Sequence, residues 1–438
     1  VDSKAGKHVC SYSDWELLKE LFAEAAERYE RDEIAPAIKL LRAVLQECNR
    51  FMSIYPDPSV LFSPDSRKST GFYMERFTPR SRDEDYFSYK SRLPSSRSMF
   101  DELPTAFHAI LGIALFLLGN LIDQDPSLLR PDEPTSPTVY WLASLDVFET
   151  GENLPCRTSG LSDAEDWRMA IVWGRALVCL ADTKIDLLRA DPAARIPVEE
   201  PKWPRNSIFR AIAASRPPVT RRRSLATASP NDLLVLAMDQ FSRGILHMPH
   251  PHYSHDAHSV FAALSLPSST APRLLPQTLT PVTHASLSFS RPKELFTVAS
   301  EVLTVAERLS TPSERRYWAL WADAVFEQMK MEAADIGLWR GRVAAARGRC
   351  WLVAGSVRVD DIEDAIERGE KGVLERRDAV EARDGFKKAV GFFERARASG
   401  FSDTDVCPMF AEALLSLANL TQDRKVQEEL YARAEAEG

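Results

Sequence analysis

A chain of 438 residues is long enough for two or three ordinary domains or for one long repeat array, and either can bury a substantial core. With 45% hydrophobic and 27% charged residues, wholesale disorder is excluded. A net charge of -8 excludes a global nucleic-acid-wrapping surface and leaves only local basic stretches such as Arg221-Arg222-Arg223.

The periodicity is helical wherever there is one, with no run of alternating strand pattern, so the expected class is all-α. Residues 11–54 read as an N-terminal helix pair. Ser13 is placed to cap a helix carrying Trp15, Leu18, Leu21, Phe22, Ala25 and Tyr29, and a second helix carries Ile38, Leu41, Val44, Leu45 and Cys48. Residues 55–100 break into Pro, Ser, Arg and scattered aromatics and read as a loop insertion.

Central helical repeats are expected over 101–189, with helices near 101–123, 136–150 and 163–189. Within them Thr105 to Ile122 carries no Asp, Glu, Lys or Arg and reaches the minimum length of a membrane span. His108, Asn120, the helix-weakening Gly112 and Gly119, and the acidic flanks Asp101, Glu102, Asp123 and Asp125 favour a buried central helix instead. Residues 190–290 form a Pro/Ser/His/Arg-rich loop region with one short helix near 231–245, and residues 291–438 return to C-terminal helical repeats.

Self-similarity links two distant helices. Residues 167–181 and 341–355 align without a gap, so that Arg168/Arg342, Ala170/Ala344, Gly174/Gly348 and Arg175/Arg349 coincide and Leu177 matches Trp351. A small residue that admits the partner helix, followed by a large one that fills the gap, is the grammar of a tetratricopeptide first helix. The stripe Ala389-x3-Phe393-x2-Ala396 looks like the matching second helix, and Leu417-Ala418 with Tyr431-x2-Ala434 suggests a last unit. The expected architecture is therefore a tetratricopeptide-like solenoid of helix pairs with long irregular insertions. Its concave surface is the default binding site. Arg168, Arg175, Arg342 and Arg349, with Asn419 in the equivalent place of the last unit, are the partner-binding candidates there, either as a basic groove for carboxylates or as solvated side chains.

Catalytic signatures are missing: there is no Gly-rich phosphate loop, nucleophile elbow, H-E-x-x-H or paired-Cys framework. No catalytic, cofactor-binding or metal residue is assigned. His247, His250, His252, His255 and His258 cluster beside Asp256, but Pro-broken sequence supplies the fixed geometry of a metal site poorly, and a polar loop is the plainer reading. Arg221-Arg222-Arg223-Ser224-Leu225 reads as a kinase target, an import patch or a solvated basic linker. Trp141, Trp167, Trp173, Trp318, Trp321, Trp339 and Trp351 occur at helical spacing and are expected to pack. Six dispersed cysteines point to a reducing compartment, and an opening without Met or secretory pattern suggests a trimmed leader.

Three segments give the chain a resemblance to the fungal enhancer-of-translation-termination family of tetratricopeptide-like nuclear proteins. They are Leu45-Gln46-Glu47-Cys48-Asn49-Arg50, Phe107-His108-Ala109-Ile110-Leu111 through Ala114-Leu115, and Ala411-Glu412-Ala413-Leu414-Leu415-x-Leu417-Ala418-Asn419-Leu420 with Glu428-Glu429-x-Tyr431 and Ala434-Glu435. The resemblance implies a non-catalytic adaptor in the nucleus and also the cytoplasm, which binds, regulates or imports a prolyl-hydroxylase-type 2-oxoglutarate/iron dioxygenase and promotes correct translation termination. It also implies termination or ribosome-associated factors as partners, with no nucleic acid or membrane. The chain lacks an H-x-D…H triad of its own, because Asp256 directly follows His255. The alternatives are a cochaperone clamping acidic C-termini, or a metal- or nucleotide-dependent enzyme using the His-rich loop.

Overall fold

The computed structural model describes residues 10–62, 103–155, 165–196, 202–218, 222–249, 290–329, 336–401 and 406–437. Among these residues the regular structure is entirely helical, as the periodicity predicts. The chain forms two compact units. One comprises Val1–Ala176, Val198–Arg223 and Leu246–Phe289, the other Leu177–Pro197, Ser224–Ile245 and Ser290–Gly438.

In the first unit α1 (Tyr12–Glu30) and α2 (Ile34–Ile54) make an antiparallel pair. The cap of α1 is Ser11, not the expected Ser13: the Ser11 hydroxyl accepts from the Asp14 N–H while the Asp14 carboxylate accepts from the Ser11 N–H, a reciprocal box that leaves Ser13 already inside the first turn. The turn into α2 passes through Asp32 at φ 59°, a left-handed conformation that Asp tolerates better than most side chains. Arg50, near the end of α2, then reaches Asp14 at 3.0 Å and closes the pair at its open end.

The span-length segment is α3 (Ala106–Gln124), which packs on α2 and, along its length, on α4 (Pro137–Glu152). Among the described residues it is the one helix long and apolar enough to cross a membrane, and 83% of its apolar window is buried in the protein. The glycines that weaken it as an isolated helix have a packing purpose. Gly112 lies against the Phe148 ring, and a Cβ at Gly119 would fall 2.9 Å from the Trp141 Nε1. The Trp141 indole donates to Asn120 Oδ1 at 2.9 Å, and Phe148 stacks on Trp173 with ring centroids 5.8 Å apart. These tryptophans are packing residues.

Two helices occupy sequence expected to be irregular. After α5 (Trp167–Ala190), α6 (Ile208–Ser215) buries Ile208, Phe209 and Ile212 and stacks Phe209 against Trp203, and α7 (Arg222–Thr227) buries Leu225 and Ala226. Their amphipathic faces span only two turns, too short to stand out among the surrounding Pro and Arg. Within the basic stretch Arg222 is paired. Arg222 donates to the buried Asp146 of α4 at 2.7–2.8 Å, and Arg216 reaches the same carboxylate at 3.3 Å. A buried carboxylate needs such counter-charge, and two arginines satisfy it. Arg221, and the loop histidines His250, His252, His255 and His258 with Asp256, lie outside the described residues.

The second unit is built from α8 (Pro230–His247), α9 (Arg291–Arg308), α10 (Pro312–Gln328), α11 (Ile336–Ser356), the short α12 (Val359–Glu367), α13 (Arg377–Ala398), α14 (Val406–Asn419) and α15 (Arg424–Glu437). Pro292 and Pro312 sit in the first turns of α9 and α10, where a missing N–H costs nothing. The successive partners are α9 with α10, α11 with α13, and α14 with α15. Along α11, Gly341, Gly348 and Gly355 recur every seven residues and meet Phe401, Phe393 and Phe386 of the antiparallel chain. Ala389, Phe393 and Ala396 are wholly buried at this seam, as the small–large–small stripe predicts. Phe401 is held over Gly341 by the helix end: Gly400 takes φ 76°, its N–H donates to Arg397 O, and the Phe401 N–H returns to Ala396 O at 3.3 Å. That pairing is a Schellman cap, which needs a residue free to adopt the left-handed conformation.

Candidate functional site

The seam with α13 consumes one face of α11. On another face, Arg349, Leu352, Val353 and Ser356 line a cleft of about 420 Å3 together with Glu307 from α9 and Met409 and Glu412 from α14. All three contributing elements are the first helices of successive pairs. First helices lining a shared recess is the arrangement expected of a stack of helix pairs, and the cleft has the size of an ordinary ligand-binding recess.

Its charges are arranged asymmetrically. Arg349 grips Glu307 with a two-pronged contact, Nε to Oε1 at 2.5 Å and Nη2 to Oε2. Glu307 stands in the last turn of α9, where a carboxylate faces the negative end of the helix dipole, and the guanidinium offsets that cost. Across the cleft no described side chain pairs with Glu412. Burial, and then the neighbouring Glu307, push the Glu412 carboxyl above its ordinary range. Leu352 and Val353 are buried against the core, so the floor is apolar.

Behind the cleft α11 carries a second, buried ionic group. Arg347 donates to Asp323 of α10 from Nε at 2.5 Å and from Nη2 at 3.1 Å, and the Trp351 indole donates to the same carboxylate at 3.2 Å. The guanidinium lies over the Phe392 ring, 4.4 Å from its centroid, and its Nη1 has no hydrogen-bond partner among the described residues. This group fixes α11 against α10 and α13 and so holds Arg349, two residues on, in place.

Of the partner-binding candidates Arg168, Arg175, Arg342, Arg349 and Asn419, Arg349 alone lines the cleft. Arg342 lies two turns earlier on the same helix, exposed, with its guanidinium 5.7 Å from the Trp339 ring centroid. Asn419 ends α14, donates to Glu363 at 3.1 Å and accepts from the Tyr431 hydroxyl at 2.7 Å. Arg168 and Arg175 belong to the first unit, where both are half-buried, over the Trp167 ring at 4.6 Å and the Phe116 ring at 5.1 Å. Glu307 and Met409 carry no mark in the sequence, and Glu412 stands out there only as part of the resemblance segment in α14. The usable signal was at α14, where Met409 and Glu412 are three residues apart and so share a face of the first helix. Among the described residues no group of three His, Cys, Asp or Glu is placed to hold a metal ion.

Comparison with known proteins gives a short answer. No family model matches the chain, and no curated protein does. Among the solved structures that resemble it are two of nuclear import adaptors. One, described as the hypoxic regulator of sterol synthesis Nro1, a nuclear import adaptor, shares 12% identity over 96% of this chain and 86% of its own, with a TM-score of 0.49. The other, the nuclear import adaptor Nro1 of S. pombe, shares 13% identity over 98% of this chain and 91% of its own, also at 0.49. Likeness at that level assigns neither fold nor role.

Proposed function

We propose that this chain is a non-catalytic protein-interaction adaptor and that the cleft between α9, α11 and α14 is a docking surface. The observation that carries the reading is the cleft itself: three successive first helices contribute an apolar floor and charged walls, a combination suited to a protein segment. The partner proposed is a prolyl-hydroxylase-type 2-oxoglutarate/iron dioxygenase, which the adaptor regulates or carries into the nucleus in support of correct translation termination. The enhancer-of-translation-termination resemblance of the α2, α3 and α14 segments supports that choice. A cochaperone clamp for acidic C-termini is less well supported, because it needs an arginine free to take a carboxylate and Arg349 is already held by Glu307.

The test is affinity capture from a fungal extract with the intact chain, beside Arg168→Glu/Arg175→Glu and Arg342→Glu/Arg349→Glu variants. Enrichment of a dioxygenase by the intact chain, kept in the first variant and changed in the second, where both the Glu307 pair and the charge of the cleft are altered, is the expected result. A chain that never enriches a dioxygenase removes the partner assignment, and full retention by both variants removes the arginines from the surface.

A further inference from the structure

The described charges of the second unit's cleft leave it acidic. Two carboxylates, Glu307 and Glu412, face one guanidinium, Arg349. Both prongs of Arg349 are taken by Glu307, while no described group pairs with Glu412. An incoming carboxylate would have to displace Glu307 and would then meet Glu412 as a like charge. An incoming cation needs no displacement and relieves the repulsion between the two glutamates.

We propose that the cleft takes a cationic anchor: a lysine or arginine side chain from a partner protein, its methylene stem on Leu352, Val353 and Met409 and its charged head beside Glu412. The inference rests on the reading of the cleft as a docking surface and adds the chemistry of what docks there. Long basic side chains lay an aliphatic stem on apolar surface and keep the head at a polar rim, which matches a cleft with Val353 and Leu352 buried in its floor and Glu412 in its wall. The Met409 thioether adapts to differing stems, so lysine and arginine both fit. The net charge of -8 steers a basic segment toward the chain.

The experiment uses the full chain and fluorescently labelled peptides with one central arginine between leucines, followed by anisotropy; matched peptides carry glutamate or leucine at the centre. Binding of the arginine peptide should exceed that of the glutamate peptide by about tenfold or more and weaken with added salt. Glu412→Lys should abolish the preference and Glu412→Gln should reduce it, both with an unchanged melting temperature, since Glu412 supports no internal pair. Equal binding of the three peptides, no binding of any, or an unaltered preference in Glu412→Lys overturns the proposal. So does self-association in sedimentation that Glu412→Lys abolishes, which would assign the cleft to a second copy of the chain. A dioxygenase captured equally by the intact chain and Glu412→Lys defeats this inference alone. Arginine-peptide binding that depends on Glu412, with no dioxygenase captured, defeats the partner assignment alone.

Discussion

Gly348 of α11 faces the ring of Phe393 on α13 so closely that a Cβ there would lie 2.7 Å from the ring edge. Replacement by alanine therefore forces the ring or the helix to move, although alanine is the better helix former. Gly348→Ala should lower stability by about 1–2 kcal/mol, the overpacking cost less the gain in helix propensity. Urea denaturation checks this, and in the double variant with Phe393→Leu the Gly348→Ala penalty should shrink. A stabilised Gly348→Ala chain would mean that the seam has room to spare.

His108, buried in α3 with no described partner for its Nδ1, is pushed down to about 4 by burial, with Asp57 pulling weakly the other way. The folded state therefore holds a neutral imidazole while the unfolded chain takes up a proton near pH 6.5. Between those values the unfolded state binds more protons, so stability rises with pH. It should fall by about 3 kcal/mol as pH drops from 6.5 to 4. Denaturation midpoints across that range in the native chain and in His108→Gln should differ in slope; parallel curves would exclude His108 as the cause.

Asp323 and Arg347 are both nearly inaccessible, with side chains 9% and 6% exposed. Removing the carboxylate alone leaves the guanidinium, one of whose nitrogens is already unpartnered, with only the exposed Glu327 at 3.3 Å, and takes the acceptor from the Trp351 indole. Asp323→Ala should cost about 3–5 kcal/mol. The double change Asp323→Leu/Arg347→Met should recover most of it, since an apolar pair leaves no charge unmatched. Thermal unfolding of the native chain and the two variants distinguishes this from simple cavity formation, in which the double variant would be no better than Asp323→Ala.

Ser11→Ala should cost about 1 kcal/mol by opening the capping box of α1. The hydrogen bonds from Ser11, aided by Arg50, hold the Asp14 carboxyl down to about 2. Asp14 therefore contributes stability that is present above its unfolded value near 3.8 and lost as pH falls through 2. Acid unfolding of Ser11→Ala should begin at higher pH than that of the native chain; coincident curves would show the box to be without energetic weight.

Helix class, the central buried helix and the α13 stripe are legible because each depends on spacing within one helix: Gly348, Ala389, Phe393 and Ala396 declare themselves by period alone. What is not legible involves relations across the chain. Arg349 stands out at its repeat position, yet its partner Glu307 is 42 residues away, so periodicity cannot reveal that the guanidinium is already taken. Arg222 reads as a solvated cation until Asp146, 76 residues earlier, is brought beside it. Ser11-x-x-Asp14 and Ser13-x-x-Glu16 are both capping-box patterns, so spacing alone does not choose between the two serines. Charge in this chain is decided by tertiary pairing, and hydrophobic period by local sequence.

The glycine–aromatic seams also determine where the chain can change length. Gly112 and Gly119 on α3, like Gly341, Gly348 and Gly355 on α11, engage their aromatics once every two turns. One residue added inside either helix rotates everything beyond it by about 100° and turns glycine away from its ring. Sequence added between α11 and α13, around α12, leaves that phase untouched. Natural variants of this protein should therefore differ in their connections by many residues and within α3 and α11 by none.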